Sequence, residues 1–329
     1  MTSADSPGEF EIISRYFSRA SRRSDVLLGV GDDAALLQVP SDRRLVAAMD
    51  TLVAGVHFPV GTAARFIGHR ALAVNLSDLA AMGAEPAWAL LSLSLPESNP
   101  DWLQEFSSGF HDLAQRYNVA LVGGDTVQGP LVITVQVLGC IEAGPVLRRS
   151  GARPGDLVYV SGIPGEAAAG LAVIQRPLAG GEAGERLRRR FNLPEPRVAL
   201  GRALRTLASA AMDVSDGLLG DLGKLCGASG CAVDLELDRL PASSSMPALF
   251  DAATVERFAL SGGDDYELLF AVAAERVAEF EALCRNVEPA CTRIGRIKQS
   301  APGQPVVQCL RGGRPVTIAV AGYDHFSGA

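Results

Sequence analysis

Val132-Ile133-Thr134-Val135-Gln136-Val137-Leu138 packs β-branched residues too densely for a helix and predicts a strand over Leu131–Ile141. Working back from it, further strands are predicted at Asp25–Val30, Leu45–Met49 and Ala87–Leu95, each bounded by Gly, Asp or Pro. Helices are predicted over Ala64–Met82 and Trp102–Tyr117. Forward from it, Gly144–Gly155 gathers Pro145, Gly151, Pro154 and Gly155 around Arg148 and Arg149. Such a run of breakers reads as a boundary between a first domain, 1–143, and a second, 144–329.

In the second domain a strand at Leu157–Val160 leads to a helix at Gly165–Arg176, and another helix follows Pro196. A short strand at Met212–Val214 feeds a helix at Gly217–Ala228, with strands at Val233–Leu237, Glu267–Val272 and Thr292–Ile297. Val306–Val320 reads as a hairpin turning at Gly312-Gly313, a pair able to take positive φ. The fold expected is therefore α/β, as two successive units.

Composition narrows the chemistry. With 30 Lys+Arg against 37 Asp+Glu in 329 residues, the net charge of −7 supplies no basic field for nucleic acid or an anionic membrane. The 6 cysteines form no Cys-x-x-Cys pair, and the 4 histidines show no metal-ligand spacing. Asp5, Glu9 and Glu11 stand where a signal peptide needs a basic end and an apolar run. No apolar stretch approaches the roughly 20 residues of a membrane span. A cytoplasmic protein is expected.

The informative feature is a set of aspartates beside glycine or at strand ends: Gly31-Asp32-Asp33, Asp50, Gly123-Gly124-Asp125, Asp213 with Ser215-Asp216-Gly217, and Gly263-Asp264-Asp265. A single Gly-Asp is an ordinary turn. Repeated after apolar strand-like runs, the motif suggests carboxylates gathered on one rim, as at strand ends of α/β sheets. Carboxylates a few Å apart repel unless cations lie between them, and hard oxygen donors favour Mg2+ over Zn2+. Asp78 adds to the set, because Leu72, Val74, Leu76 and Leu79 surround it in a helical pattern. Asn75, three residues earlier, stands ready to orient it. The plainer alternative is a surface ion pair between Asp78 and Arg70.

Other phosphate-handling signatures are missing. No Gly-x4-Gly-Lys-Ser/Thr occurs, and Gly223-Lys224 lacks both the spaced glycine and the hydroxyl. The Gly29–Ala34 match to a dinucleotide fingerprint carries two aspartates that would repel a pyrophosphate.

Taken in order, these residues resemble the thiamine-monophosphate kinases, members of a superfamily that includes aminoimidazole ribonucleotide synthetase, selenophosphate synthetase and a hydrogenase-maturation protein. The resemblance rests on Gly31-Asp32-Asp33-Ala34-Ala35, Asp50–Phe58, Asn75–Ala84, Gly123-Gly124-Asp125-Thr126, Asp213–Leu218, Ser261–Leu268 and Gly322–Phe326. It implies a homodimer whose N-terminal mixed-sheet domains, binding ATP and magnesium, share a β-barrel, with a C-terminal α/β domain beside it. It implies ATP and thiamine monophosphate as substrates and several Mg2+ ions per site, held by Asp33, Asp50, Asp78, Asp125, Asp213 and Asp216. Gly124, Asp125, Arg149 and Ser215 would contact ATP, and His57, Asp264 and Tyr323 the thiamine substrate. The family usually carries Ser/Thr-Thr before the aspartate matching Asp50. Here Ala48-Met49 stand there, leaving the Met49 backbone in place of a hydroxyl ligand.

A phosphate monoester acceptor is already ionised near neutral pH, so no general base is expected. The obstacle is the meeting of two polyanions, which Mg2+ relieves, and direct in-line transfer is the expected route. Two other classes share the acidic clusters: a nucleotide-binding subunit without catalysis, and a magnesium-dependent phosphohydrolase. Within the superfamily, an aminoimidazole ribonucleotide synthetase-like enzyme is the alternative.

Overall fold

A computed structural model describes residues 7–19, 23–176, 181–285 and 288–318. They divide into two compact units, one running to Leu79 and resuming over Ala84–Gly144, the other comprising Ala80–Gly83 and the chain from Pro145. The molecule is a mixed α/β protein of two domains.

In the first unit the elements are α1 (Glu9–Ile12), β1 (Val26–Leu28), β2 (Leu36–Leu37), β3 (Arg43–Val53), α2 (Ala64–Ala81), β4 (Glu85–Leu95), α3 (Pro100–Arg116), β5 (Ala120–Gln128) and β6 (Val132–Glu142). Four strands form an open sheet in the order β3-β6-β4-β5. Pairing is antiparallel except between β4 and β5. The Val132–Leu138 stretch lies in β6, paired on both sides; Ile133, Val135 and Val137 are buried and Thr134 and Gln136 half-buried, the period-2 alternation of a pleated strand. Helix α2 is buried almost all round from Arg70 onward, as its run of apolar residues requires. Helix α3 starts where Asn99 Oδ1 accepts the amides of Asp101 and Trp102, with Pro100 in its first turn.

The β1–β2 ribbon is fastened to the sheet by a cluster in which Val26, Ala35 and Leu37 pack on Trp88, Ala120, Val122 and Cys140. Asp25 reinforces it, accepting from Arg23 Nε at 2.9 Å and from Trp88 Nε1 at 3.2 Å. The Arg23 guanidinium holds the Asp25 carboxyl below the usual carboxylate range.

The second unit comprises β7 (Leu157–Ser161), α4 (Glu166–Gln175), α5 (Gly181–Asn192), α6 (Val198–Leu204), β8 (Ala208–Val214), α7 (Leu218–Ser229), β9 (Cys231–Glu236), α8 (Ala252–Ser261), β10 (Glu267–Val272), α9 (Val277–Cys284), β11 (Cys291–Gln299), β12 (Val307–Arg311) and β13 (Arg314–Val316). Its seven-stranded sheet runs β13-β12-β9-β11-β7-β10-β8, antiparallel except for the β9–β12 pair. Every residue of β10 is buried, Glu267 included. The core beneath the sheet joins Val158, Val160, Met212 and Val214 to Leu218, Leu222 and Leu225 of α7.

The structure corrects several expectations. Both sheets are largely antiparallel, so the aspartates are not collected by the carboxyl ends of parallel strands. Asp50 lies inside β3 and Asp125 inside β5, neither at a strand end. Strand β5 and helices α5, α8 and α9 were not foreseen. Arg70, expected at the surface in the ion-pair alternative for Asp78, is instead buried, 2% exposed. The hairpin forms with Gly312 at φ 56° and Gly313 at φ 74°, though its expected end lies outside the described residues.

Candidate active site

In the first unit a cleft of about 690 Å³ is lined by Gly31-Asp32-Asp33 from the β1–β2 ribbon and by Gly123-Gly124-Asp125 from β5, with Phe10, Ile13 and Phe17 contributing an apolar wall. Asp33 and Asp125 are both exposed, and the cleft falls in the size range of nucleotide and small-molecule sites. Gly124 has φ 151°, and a Cβ there would lie 1.8 Å from Leu91 O across the β4–β5 ladder. Only glycine allows that approach.

Asp50 sits at the middle of edge strand β3, half-buried, opposite Val135. Its amide donates to Asn75 Oδ1 at 2.8 Å, while Asn75 Nδ2 donates to Ala71 O at 2.9 Å. Asn75 therefore serves the Asp50 backbone, and Asp78, half-buried, follows one turn along α2. Met49, the neighbour of Asp50, is 62% exposed and pairs with Gln136. His57, just beyond β3, accepts the Val53 amide on Nδ1 at 3.0 Å. An amide can only donate, so the neutral ring carries its proton on Nε2.

In the second unit the β8–β10 pairing draws the other predicted residues together. Asp213 is buried opposite Leu268. Ser215 and Asp216 form the turn into α7, and Ser215 O accepts the Asp264 amide at 2.8 Å. Gly217, at φ 107°, has Ser261 backbone atoms within 2.9 Å of where a Cβ would stand, so the two loops touch through a missing side chain. Asp221, buried in α7, accepts the Ser215 and Asp216 amides on Oδ2, both at 3.0 Å. Lys224 Nζ donates to Asp221 Oδ1 at 2.8 Å and also pairs with Asp216. Burial pushes the Asp221 carboxyl up, against the pull of Lys224.

The loop bearing Asp264 is fixed from beneath. Asp265 accepts the Gly165 amide at 2.6 Å and the Ala167 amide at 3.2 Å at the start of α4, and burial pushes its carboxyl up to about 8. Glu267 is fully buried and accepts from Arg197 Nε at 2.7 Å, Arg190 at 2.6 Å and Ser161 Oγ at 2.6 Å. Its burial opposes the charged form, but Arg197 and Arg190 hold its carboxyl below the usual range.

Arg149 is exposed, its carbonyl accepting from Ser229 Oγ at 3.1 Å. The same hydroxyl takes the Gly151 and Ala152 amides at 3.2 Å, anchoring the segment that carries Arg149. Tyr323 lies outside the described residues. Asn75, Asp221, Lys224, Asp265 and Glu267 hold the predicted residues in place. Sequence reading gave Asn75 the orienting of Asp78 rather than of the Asp50 amide, and it missed the other four roles, whose partners are set by the folded chain.

Among the described residues, no three of His, Cys, Asp and Glu converge on a ready-made metal cage. The predicted donors are carboxylate oxygens on separate elements. That donor chemistry fits Mg2+, which keeps waters and is completed by substrate phosphates.

Two family models cover most of the chain: AIR synthase related protein, N-terminal domain, over residues 31–141, and AIR synthase related protein, C-terminal domain, over 153–308. Fold and site together therefore define a two-domain AIR synthase related protein. Thiamine-monophosphate kinase of Salmonella typhimurium is 46% identical over 97% of this chain and 98% of its own length. The crystal structure of thiamine-monophosphate kinase from Stenotrophomonas maltophilia K279a matches with a TM-score of 0.83 and 46% identity, covering 88% of this chain and 92% of that one. A structure described as AaThiL complexed with AMPPCP and TMP matches at a TM-score of 0.76 and 30% identity, covering 90% and 92%. The chain belongs to the thiamine-monophosphate kinase family.

Proposed function

We propose that this protein transfers the γ-phosphoryl group of ATP to thiamine monophosphate, giving thiamine diphosphate. The observation that carries this reading is the match, over 90% of this chain, to a relative solved with AMPPCP, an analogue of ATP, and TMP. The cleft lined by Asp33, Gly124 and Asp125 is of a size to take a nucleotide, which supports placing ATP there.

Asp33, Asp50, Asp78, Asp125, Asp213 and Asp216 would hold Mg2+, with the Met49 backbone in place of a hydroxyl ligand. Bound there, Mg2+ would neutralise the phosphates of both reactants and of the transition state. Gly124, Asp125, Arg149 and Ser215 would position ATP, Arg149 engaging two phosphate oxygens through its planar fork. His57, Asp264 and Tyr323 would seat the acceptor. The acceptor phosphate attacks in line and the γ-phosphorus to β-oxygen bond breaks, leaving ADP, with no general base and no phosphoenzyme.

A homodimer acting in the cytoplasm completes the reading. Strand β3 is an 11-residue edge with Leu45 50% and Met49 62% exposed, the kind of edge a second copy covers and can close into a shared barrel. No described helix is long and apolar enough to cross a membrane.

A coupled assay decides the activity. ADP release that requires both Mg2+ and thiamine monophosphate is expected. Phosphate release without an acceptor would indicate a phosphohydrolase, and no ADP under any condition would sink the kinase reading. A phosphorylated side chain after incubation with labelled ATP alone would refute direct transfer. Sedimentation should give a dimer's mass.

A further inference from the structure

The loop between α8 and β10 holds its chain in a conformation that two of its residues disfavour. Asp264 has φ 70° and Tyr266 φ 51°. Aspartate tolerates the left-handed region, but a bulky aromatic there is an outlier, which persists only where surrounding bonds over-determine it.

Those bonds are present. The amides of Asp264 and Tyr266 donate to Ser215 O at 2.8 Å and to Val214 O at 2.9 Å. Gly263 passes so close that a Cβ would lie 2.5 Å from Ser215 O. Asp265 is tied to the start of α4 and Glu267 to Arg190, Arg197 and Ser161. Within this frame the Tyr266 hydroxyl donates to Asp264 Oδ1 at 3.1 Å. A carboxylate torsion is otherwise broad and nearly two-fold, so this bond selects one orientation.

We propose that Tyr266 is a positioning residue for the acceptor, orienting the Asp264 carboxylate that meets the thiamine moiety. This rests on the kinase reading and on Asp264 as an acceptor contact. The strained backbone brings the phenol and carboxylate together, and the buried Asp265 and Glu267 keep it strained. Tyr266 is 8% exposed, so a purely packing role is the competing account.

Tyr266→Phe keeps the ring and removes only the hydroxyl. Expected is a rise of about fivefold in KM for thiamine monophosphate, with kcat and KM for ATP changed less than about twofold. In an Asp264→Ala background, Tyr266→Phe should add nothing further. An unchanged acceptor KM, a fall in kcat alone, or an equal effect in both backgrounds would overturn the proposal. If Tyr266→Phe melts near the assay temperature, calorimetric titration of thiamine monophosphate in the cold gives the same comparison. Wild-type protein that releases no ADP would remove the kinase reading and this proposal with it, whereas an active wild type with an unaffected variant would remove this proposal alone.

Discussion

Asn75 Oδ1 accepts the backbone amide of Asp50 at 2.8 Å, joining the middle of helix α2 to the middle of edge strand β3. Asn75 is 1% exposed, so this bond replaces water that the buried side chain cannot reach. Asn75→Ala should cost about 1–3 kcal/mol in urea unfolding and lower turnover, because Asp50 loses the anchor of its own amide. Wild-type stability with wild-type turnover would show the bond to be incidental.

Asp78→Asn and Asp216→Asn keep side-chain shape and remove charge. Each should lower ADP release by about a hundredfold or more while circular dichroism and melting stay near wild type. Near wild-type rates in both would withdraw these residues from the metal site.

Gly124→Ala forces a Cβ to within 1.8 Å of Leu91 O at φ 151°. The β4–β5 ladder must open locally, with an expected loss of about 3 kcal/mol or more and a raised KM for ATP. Denaturant midpoints and ATP titrations check it; an unperturbed variant would mean the cleft wall is loosely held.

His111 is 8% exposed, and its Nε2 donates to Tyr16 O at 3.0 Å. Burial, with Arg19 nearby, lowers its pKa from 6.5 to about 4. The unfolded chain then binds the proton more readily, so the contribution is fully present above pH 6.5 and is lost as pH falls toward 4. The loss should reach about 3 kcal/mol. Urea unfolding of wild type and His111→Gln across that range should show a shallower slope for the variant. Parallel slopes would refute it.

Much of the architecture was legible in local pattern. The β-branched density of β6, the largely apolar pattern of α2 and the breakers after Gly144 each state a conformational preference within a few residues. The Gly-Asp motifs were legible as candidates. Misjudged features depended on pairing instead: β5 contains Gly123-Gly124, which reads as a turn until β4 supplies a parallel neighbour. Helix α5, with its Arg-rich face, gives a weak apolar signal, yet Arg190 closes on Glu267 across 77 residues.

The order of aspartates and glycines, the family they mark and the alternation that makes β6 a central strand were determined by sequence alone, because each depends on covalent neighbours. Which carboxylates line a cleft and which hold the frame was decided only by tertiary structure. Asp125 and Asp265 follow similar Gly-containing runs, but one is exposed and the other is 4% exposed under two backbone amides. A carboxylate's role follows from its desolvation and its donors, and distant segments supply both.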